Sequence, residues 1–356
     1  MPSLLLDHLK CQKNIESMSR KAAGQNLTLR PHCKTHQSAE IASWFRPFGI
    51  HSLTVSSFPM ARYFAEAGWD DILVAFPFHP GEMESLIRLS ELCQLSILID
   101  SPAALPFLHH IPCRISFYID IDTGYGRTGV RTENPDLIEQ ILVKASDNPQ
   151  LKFQGFYCHA GHSYKAGSRA ELDQIHQKAL HDLKKLKEQF KQYDPKLLYG
   201  DTPNCSIQEE FGEIDELTPG NFVFYDLVQY ALGACKLEDI AVAMECHVAG
   251  RYPAGERIVI HGGAIHFSKE SLVLDGSPIF GQLVPSGDEG WSIRSETCYL
   301  TSVSQEHGVL ESCAELINEV NIGEKLLFLP VHSCLTSNLM GEYRTLEGKR
   351  ITSFNT

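Results

Sequence analysis

Hydrophobic and polar positions follow two different rhythms along this chain. From about residue 15 to 235, short β-rich apolar runs are separated by amphipathic stretches, the alternation expected of repeated β/α units around a parallel sheet. The runs are Thr28–Arg30, Ser52–Val55, Ile72–Ala75, Leu95–Ile99, Ser116–Asp120, Phe153–Cys158, Leu197–Gly200 and Phe222–Phe224. Eight such runs predict a closed α/β fold, a parallel (β/α)8 barrel. Among the intervening stretches, Leu172, Ile175, Ala179, Leu183 and Leu186 recur at helical spacing with Lys and Glu opposite, which predicts a helix laid over the outside of the sheet. From Ile240 onward the helical period disappears. Runs such as Arg257–Ile260, Thr297–Val303 and Lys325–Leu329 then alternate with Gly and Pro turns, so a smaller β-rich domain is expected over residues 236–356.

Composition narrows the class of protein. With 356 residues, 43% of them apolar, the chain can bury a sizeable core. A formal charge of −13 opposes binding to a phosphate backbone, and no basic run or aromatic platform is present, so nucleic acid is not an expected partner. No stretch approaches the ~18 apolar residues of a membrane span, and Leu4–Leu6 is too short and too poorly flanked for a signal peptide. Eleven cysteines, an odd number without a framework, fit reduced thiols, and the expected location is the cytoplasm.

One lysine stands out chemically. Residues 30–36 read Arg-Pro-His-Cys-Lys-Thr-His and set Lys34 between two histidines. An ordinary lysine has a pKa near ~10.4 and is a poor nucleophile at neutral pH, so carbonyl chemistry needs burial or a neighbouring cation to lower it. Protonated His32 or His36 would be such a cation. At the other end of the chain, Pro330–Cys334 reads Pro-Val-His-Ser-Cys. In an extended segment His332 and Cys334 point to the same side and can face one ion. Imidazole plus thiolate favours Zn²⁺ over Mg²⁺ or Mn²⁺.

Four further motifs lie between these two in chain order: Asp-Thr-Gly-Tyr-Gly-Arg-Thr-Gly-Val over 122–130, Cys-His-Ala-Gly-His-Ser-Tyr over 158–164, Gly-Asp-Thr-Pro-Asn over 200–204 and Thr-Pro-Gly-Asn-Phe-Val-Phe-Tyr-Asp over 218–226. The ordered set resembles the fold-type III pyridoxal phosphate enzymes, specifically the D-serine dehydratase and D-threonine aldolase branch of the alanine racemase-like barrels. The resemblance spans nearly the whole chain. It implies that Lys34 bonds covalently to pyridoxal 5'-phosphate, whose ring acts as an electron sink. Thr202, Gly220 and Asn221 match phosphate contacts, Arg127 an arginine beside the cofactor's phenolic oxygen, and His159 a histidine packed near the ring. Tyr164 supplies a hydroxyl within reach of cofactor or substrate. Thr218 matches the position where related racemases carry an arginine facing the pyridine nitrogen, and a threonine offers only a neutral hydroxyl there. The resemblance also implies that the opening strand near Leu4–Leu6 joins the β-rich domain, giving a barrel over 15–235 and a discontinuous domain of 1–14 plus 236–356.

In that family, dehydratase-like members place His-x-Cys where His332 and Cys334 stand, and aldolase-like members tend to place aspartate second, with a harder ion. The expected protein is therefore a homodimeric pyridoxal phosphate- and zinc-dependent lyase acting on D-β-hydroxy amino acids, with D-serine dehydratase first. Lys34 would remove the α-proton, and zinc on His332 and Cys334 would help expel the β-hydroxyl. D-threonine aldolase and D-threo-3-hydroxyaspartate dehydratase are the alternatives. A racemase, or a pyridoxal phosphate-binding protein without catalysis, is more distant, because Thr218, the metal pair and the long β-rich segment fit them poorly.

Overall fold

The computed structural model describes residues 1–287, 290–292, 298–311 and 313–354. They form two compact units, one of residues Glu16–Lys34 and Ile41–Gly220, the other of Met1–Ile15, Thr35–Glu40 and Asn221–Thr356. The hydrophobic pattern placed a boundary near 235, whereas by packing the residues from Asn221 onward group with the β-rich unit.

The first unit holds the expected parallel barrel. Its strands run in the spatial order Thr28–Leu29, Glu216–Leu217, Lys196–Gly200, Leu151–His159, Ile115–Asp122, Gln94–Ile99, Asp71–Pro77 and Ser52–Val55. Continuous apolar runs such as Ile72-Leu73-Val74 and Ile97-Leu98-Ile99 are what a parallel strand covered on both faces requires. Leu73, Leu98, Tyr118, Tyr157 and Leu198, one from each of five strands, pack as a single buried cluster. Seven of the eight expected runs coincide with these strands. The eighth does not: Asn221–Val223 is a short 3-10 turn, and the apolar run there reflects the burial of Phe222, Val223 and Phe224. The eighth strand is instead Glu216–Leu217.

Closure rests on few backbone bonds. Among the described residues the backbone pairing between the Thr28–Leu29 and Ser52–Val55 strands is one isolated bridge of His32 and Thr54, with Cys33 N donating to Thr54 O at 2.8 Å and Thr54 N to Pro31 O at 2.9 Å. Arg30 braces the same region from 5% exposure. Its Nε donates to Glu216 Oε2 at 2.6 Å, and its two terminal nitrogens form a bidentate pair with Asp71 at 2.9 and 3.0 Å.

The outer helix Arg169–Gln189 starts where Ser168 Oγ accepts the Glu171 N–H, an N-cap. Its buried face is Leu172, His176, Ala179, Leu183 and Leu186. His176 takes the inner position expected for Ile175, because steps of four and three residues track the 3.6-residue turn.

In the second unit Val242–Tyr252, Arg257–His261, His307–Glu311, Tyr299–Val303, Gly281–Val284 and Lys325–Pro330 form a closed ring of strand pairings. The expected run from Thr297 begins outside the described residues, and its strand is seen from Tyr299. Ser3–Leu6 pairs antiparallel with Val242–Glu245 and parallel with the Glu342–Thr345 strand, so the chain's opening strand does join the β-rich sheet. Among the described residues no helix is long and apolar enough to cross a membrane.

Candidate active site

Within the barrel unit, the expected residues sit at the ends of strands or in the segments that follow them. Lys34 lies in a turn just beyond the His32–Thr54 bridge, half-buried, its backbone N–H donating to His32 Nδ1 at 3.4 Å. His159 ends the Leu151–His159 strand, and its Nδ1 meets Gly200 O at 2.8 Å. That bond assigns the ring proton to Nδ1 and leaves Nε2 as an acceptor. Burial, with the positive charges of Lys34 and Arg127, pushes His159 down to about 3, so its ring is neutral at physiological pH.

Arg127 is exposed in the loop after the Ile115–Asp122 strand, with its guanidinium 4.9 Å over the Tyr125 ring. Tyr125 in turn packs edge-on against His159, with centroids 5.9 Å apart. Gly161 keeps this cluster open. A Cβ there would lie 2.6 Å from the Tyr125 ring and 2.9 Å from His159 Nε2. Tyr164 Oη accepts the Thr202 N–H at 3.2 Å, and the buried Thr202 Oγ1 has no hydrogen-bond partner. Thr218 is buried and so close to Gly200 that a Cβ on that glycine would fall 2.1 Å from Thr218 Oγ1. Gly220 is buried at the end of this unit.

These observations fit a phosphorylated aromatic cofactor. A partnerless hydroxyl at Thr202 suits a phosphate oxygen, and the glycine-opened cradle of Tyr125 and His159 suits a planar ring. Sequence reasoning missed Asp120, which is buried, accepts from Thr128 Oγ1 at 2.7 Å and is raised by burial to about 6. Its strand position hid it among apolar neighbours. It also assigned His36 a possible positive charge. His36 is fully buried and driven down to about 3 by that burial, so it is neutral and supplies no cation.

Within the β-rich unit, His332 and Cys334 do come together, but not by strand alternation. The Lys325–Pro330 strand ends, His332 caps a helix over Ser333–Met340, and Cys334 lies in that helix's first turn. Asp226 shapes the approach. Its Oδ2 accepts from Ser333 N at 3.0 Å, Ser333 Oγ at 3.2 Å and Asn221 Nδ2 at 2.6 Å. Asn221 Nδ2 also reaches Cys334 Sγ at 3.4 Å, so this side-chain nitrogen belongs to the surroundings of the His332–Cys334 pair. Thr35 Oγ1 lies 3.3 Å from the same sulfur.

Burial raises the Cys334 thiol, but hydrogen bonds from His332 and Thr35 outweigh it and hold the thiol below its ordinary value. Burial likewise pulls His332 down, and its bonds to Cys334 and Glu270 reverse that, taking it up to about 11. A stabilised thiolate beside an imidazole is a donor set for a soft or borderline divalent ion. Thr35, Asp226 and Glu270 were not foreseen. A second cluster, His261, His266 and Glu306, has possible ligand atoms within 4.8 Å of one another. His266 Nδ1 already accepts the Gly263 N–H at 3.1 Å, so Nε2 carries the ring proton and would have to lose it before that nitrogen could hold an ion.

Residues 6–226 match the family described as "Alanine racemase, N-terminal domain". The chain belongs to that family. Residues 241–346 match a second description, "Putative serine dehydratase domain". Among curated relatives of this family member, D-serine dehydratase of Dictyostelium discoideum is 28% identical, over 99% of this chain and 94% of its own length. D-threonine aldolase of Arthrobacter sp. is 23% identical, over 95% and 86%. The solved structure of D-threo-3-hydroxyaspartate dehydratase from Delftia sp. HT23 superposes with a TM-score of 0.90 at 25% identity, covering 99% of this chain and 97% of that one. The branch of alanine racemase-like proteins inferred from the motifs is thus the right one, and the relatives support a pyridoxal phosphate-dependent lyase.

Proposed function

We propose that the protein is a D-serine dehydratase, holding pyridoxal phosphate at Lys34 and zinc at His332 and Cys334. The observation that carries this reading is the His332–Cys334 pair with its hydrogen-bonded thiol, because a thiolate in the second ligand position favours zinc and loss of the β-hydroxyl. A solved structure described as the metal-free form of a cysteine-to-alanine mutant of D-threo-3-hydroxyaspartate dehydratase supports a metal in that branch.

When bound, the cofactor supplies an electron sink for charge at the substrate's α-carbon, and the ion a Lewis acid for a β-hydroxyl. The chain's own residues do the rest. Lys34 Nζ would hold the cofactor and is the amine placed to act as base toward the α-proton. Thr202 Oγ1, with Tyr164 Oη held beside it by the Thr202 N–H, would bind phosphate oxygens, joined by Gly220 and Asn221. Arg127 would supply a positive charge for the cofactor's phenolic oxygen. Neutral His159, with Nδ1–H held by Gly200 O, packs against the ring without adding charge. Thr218 would offer the ring nitrogen only a neutral hydroxyl, a weaker support for the electron sink than a racemase's arginine.

The substrate would be a D-β-hydroxy amino acid, since a lysine on one cofactor face reaches one α-proton. The assembly would be a cytoplasmic homodimer. The test is product analysis with D- and L-serine, D-threonine and D-threo-3-hydroxyaspartate. Pyruvate and ammonia from D-serine, with L-serine untouched, is the expected result. Glycine plus an aldehyde as main products would move the assignment to the aldolase, and preferred turnover of the hydroxyaspartate would move it to that dehydratase.

A further inference from the structure

We propose that Glu270 is a positioning residue for His332, holding the imidazole so that Nε2 is the nitrogen offered beside Cys334 to a divalent ion. The proposal rests on the reading of His332 and Cys334 as the metal pair. Glu270 Oε2 lies 2.5 Å from His332 Nδ1 although the two are 62 residues apart in sequence. A carboxylate can only accept, so Nδ1–H faces Glu270 and Nε2 is the nitrogen turned toward Cys334; when a divalent ion takes the place of the Nε2 proton, Nδ1 stays protonated, the tautomer that a metal ligand needs. His332 also bonds to Cys334, and with Nδ1 facing Glu270 the nitrogen left for that contact is Nε2.

The segment bearing Glu270 is built to hold this geometry. It follows the short helix Ala264–Phe267, whose last carbonyl accepts from Thr336 Oγ1 at 3.3 Å. Thr336 belongs to the helix that His332 caps, so the two segments are tied directly. Phe267 packs edge-on against Phe328 of the strand leading to His332, with centroids 6.0 Å apart. Between Phe267 and Glu270 the chain passes through Ser268 at φ 75°, ψ 178°, a region that residues with a side chain rarely adopt. Ser268 N donates to Ala264 O at 2.9 Å, and its Oγ accepts the Glu270 N–H at 3.1 Å, which holds the turn. A plain surface ion pair needs none of this. The His332 side chain is 25% exposed and that of Glu270 44%, so solvent and a ligand can reach the pair.

The test is zinc affinity of the purified protein, read by competition with a chromophoric chelator, together with the ¹⁵N shifts of the His332 ring with Zn²⁺ alone added. Wild type should bind tightly with Nδ1 protonated and Nε2 on the metal. Glu270→Ala should weaken zinc binding by roughly 10- to 100-fold, the range typical of residues that orient a metal-bound histidine. Its ring should lose the fixed tautomer. Glu270→Gln keeps an acceptor oxygen without the charge and should fall between, while its thermal midpoint stays near wild type. Unchanged affinity and tautomer in Glu270→Ala would overturn the proposal while leaving the metal pair standing. Wild type binding zinc no better than His332→Ala would overturn the metal pair and this proposal with it.

Discussion

Replacing Arg30 by methionine should destabilise the barrel far more than an average substitution. The side chain is 5% exposed and joins two carboxylates, Glu216 at 2.6 Å and Asp71 at 2.9 and 3.0 Å. The Asp71 side chain is 37% exposed, so its loss of a partner is screened and contributes under about 1 kcal/mol. Glu216 is different. Its side chain is 5% exposed, and stripping the guanidinium leaves a buried charge uncompensated, which typically costs ~3–5 kcal/mol. Lys196 Nζ remains 3.4 Å from its other oxygen and softens the loss, so the lower end, about 3 kcal/mol, is expected. In a domain of this size that corresponds to roughly 6–12 °C in thermal midpoint. Urea unfolding followed by circular dichroism measures it. Arg30→Met combined with Glu216→Leu should recover most of the loss, since a buried ion pair exchanged for apolar groups is often neutral. A cost under about 1 kcal/mol for Arg30→Met, or a double variant no better than the single, would refute the electrostatic account.

Borohydride reduction of the purified protein loaded with pyridoxal phosphate should fix the cofactor on the peptide containing Lys34, and Lys34→Ala should lose the visible absorbance. Label on another lysine would void the cofactor assignment. His36 should make the protein acid-sensitive: the unfolded ring takes a proton below ~6.5 and the buried one not until about 3, so stability is fully present above that window and falls as pH drops through it. At pH 5 the loss is about 2 kcal/mol, and His36→Gln should lack that component when the two pH profiles are subtracted. The subtraction matters because Asp120 and Asp201, both raised to about 6 by burial, slope the other way between their unfolded values and 6. Cys334→Asp should shift metal preference from Zn²⁺ toward Mn²⁺ in competition dialysis, since the ligand keeps its charge but hardens.

Much of the fold was legible because parallel strands buried on both faces must be apolar throughout. The exception shows the limit of that signal. Glu216–Leu217 is a strand of two residues, one a glutamate neutralised by an arginine far away in sequence, and no periodicity marks it. Phe222–Phe224 carries the stronger apolar run and is a buried turn. At the candidate site, residues set in distinctive local motifs could be found by reading along the chain. Thr35 and Glu270 could not. Each gains its place from topology that brings it to Cys334 or His332, and neither has a neighbouring sequence that announces it. The shared face of His332 and Cys334 was foreseen for the wrong reason, since a helix begins where an extended strand was expected.

The thin join between the Thr28–Leu29 and Ser52–Val55 strands has a mechanical consequence. A closed barrel opens first where the fewest backbone bonds must break, and here that place is the single bridge at His32 and Thr54, two residues before Lys34. The amides of Cys33 and Thr54 should therefore exchange with deuterium sooner than those of the Gln94–Ile99 strand, which is paired along both edges. A molecule bonded to Lys34 and gripped by Thr202 would span the cylinder close to this gap and act as a rivet. Loading the lysine would then slow exchange at the gap first, and the barrel would be most rigid when it is chemically competent.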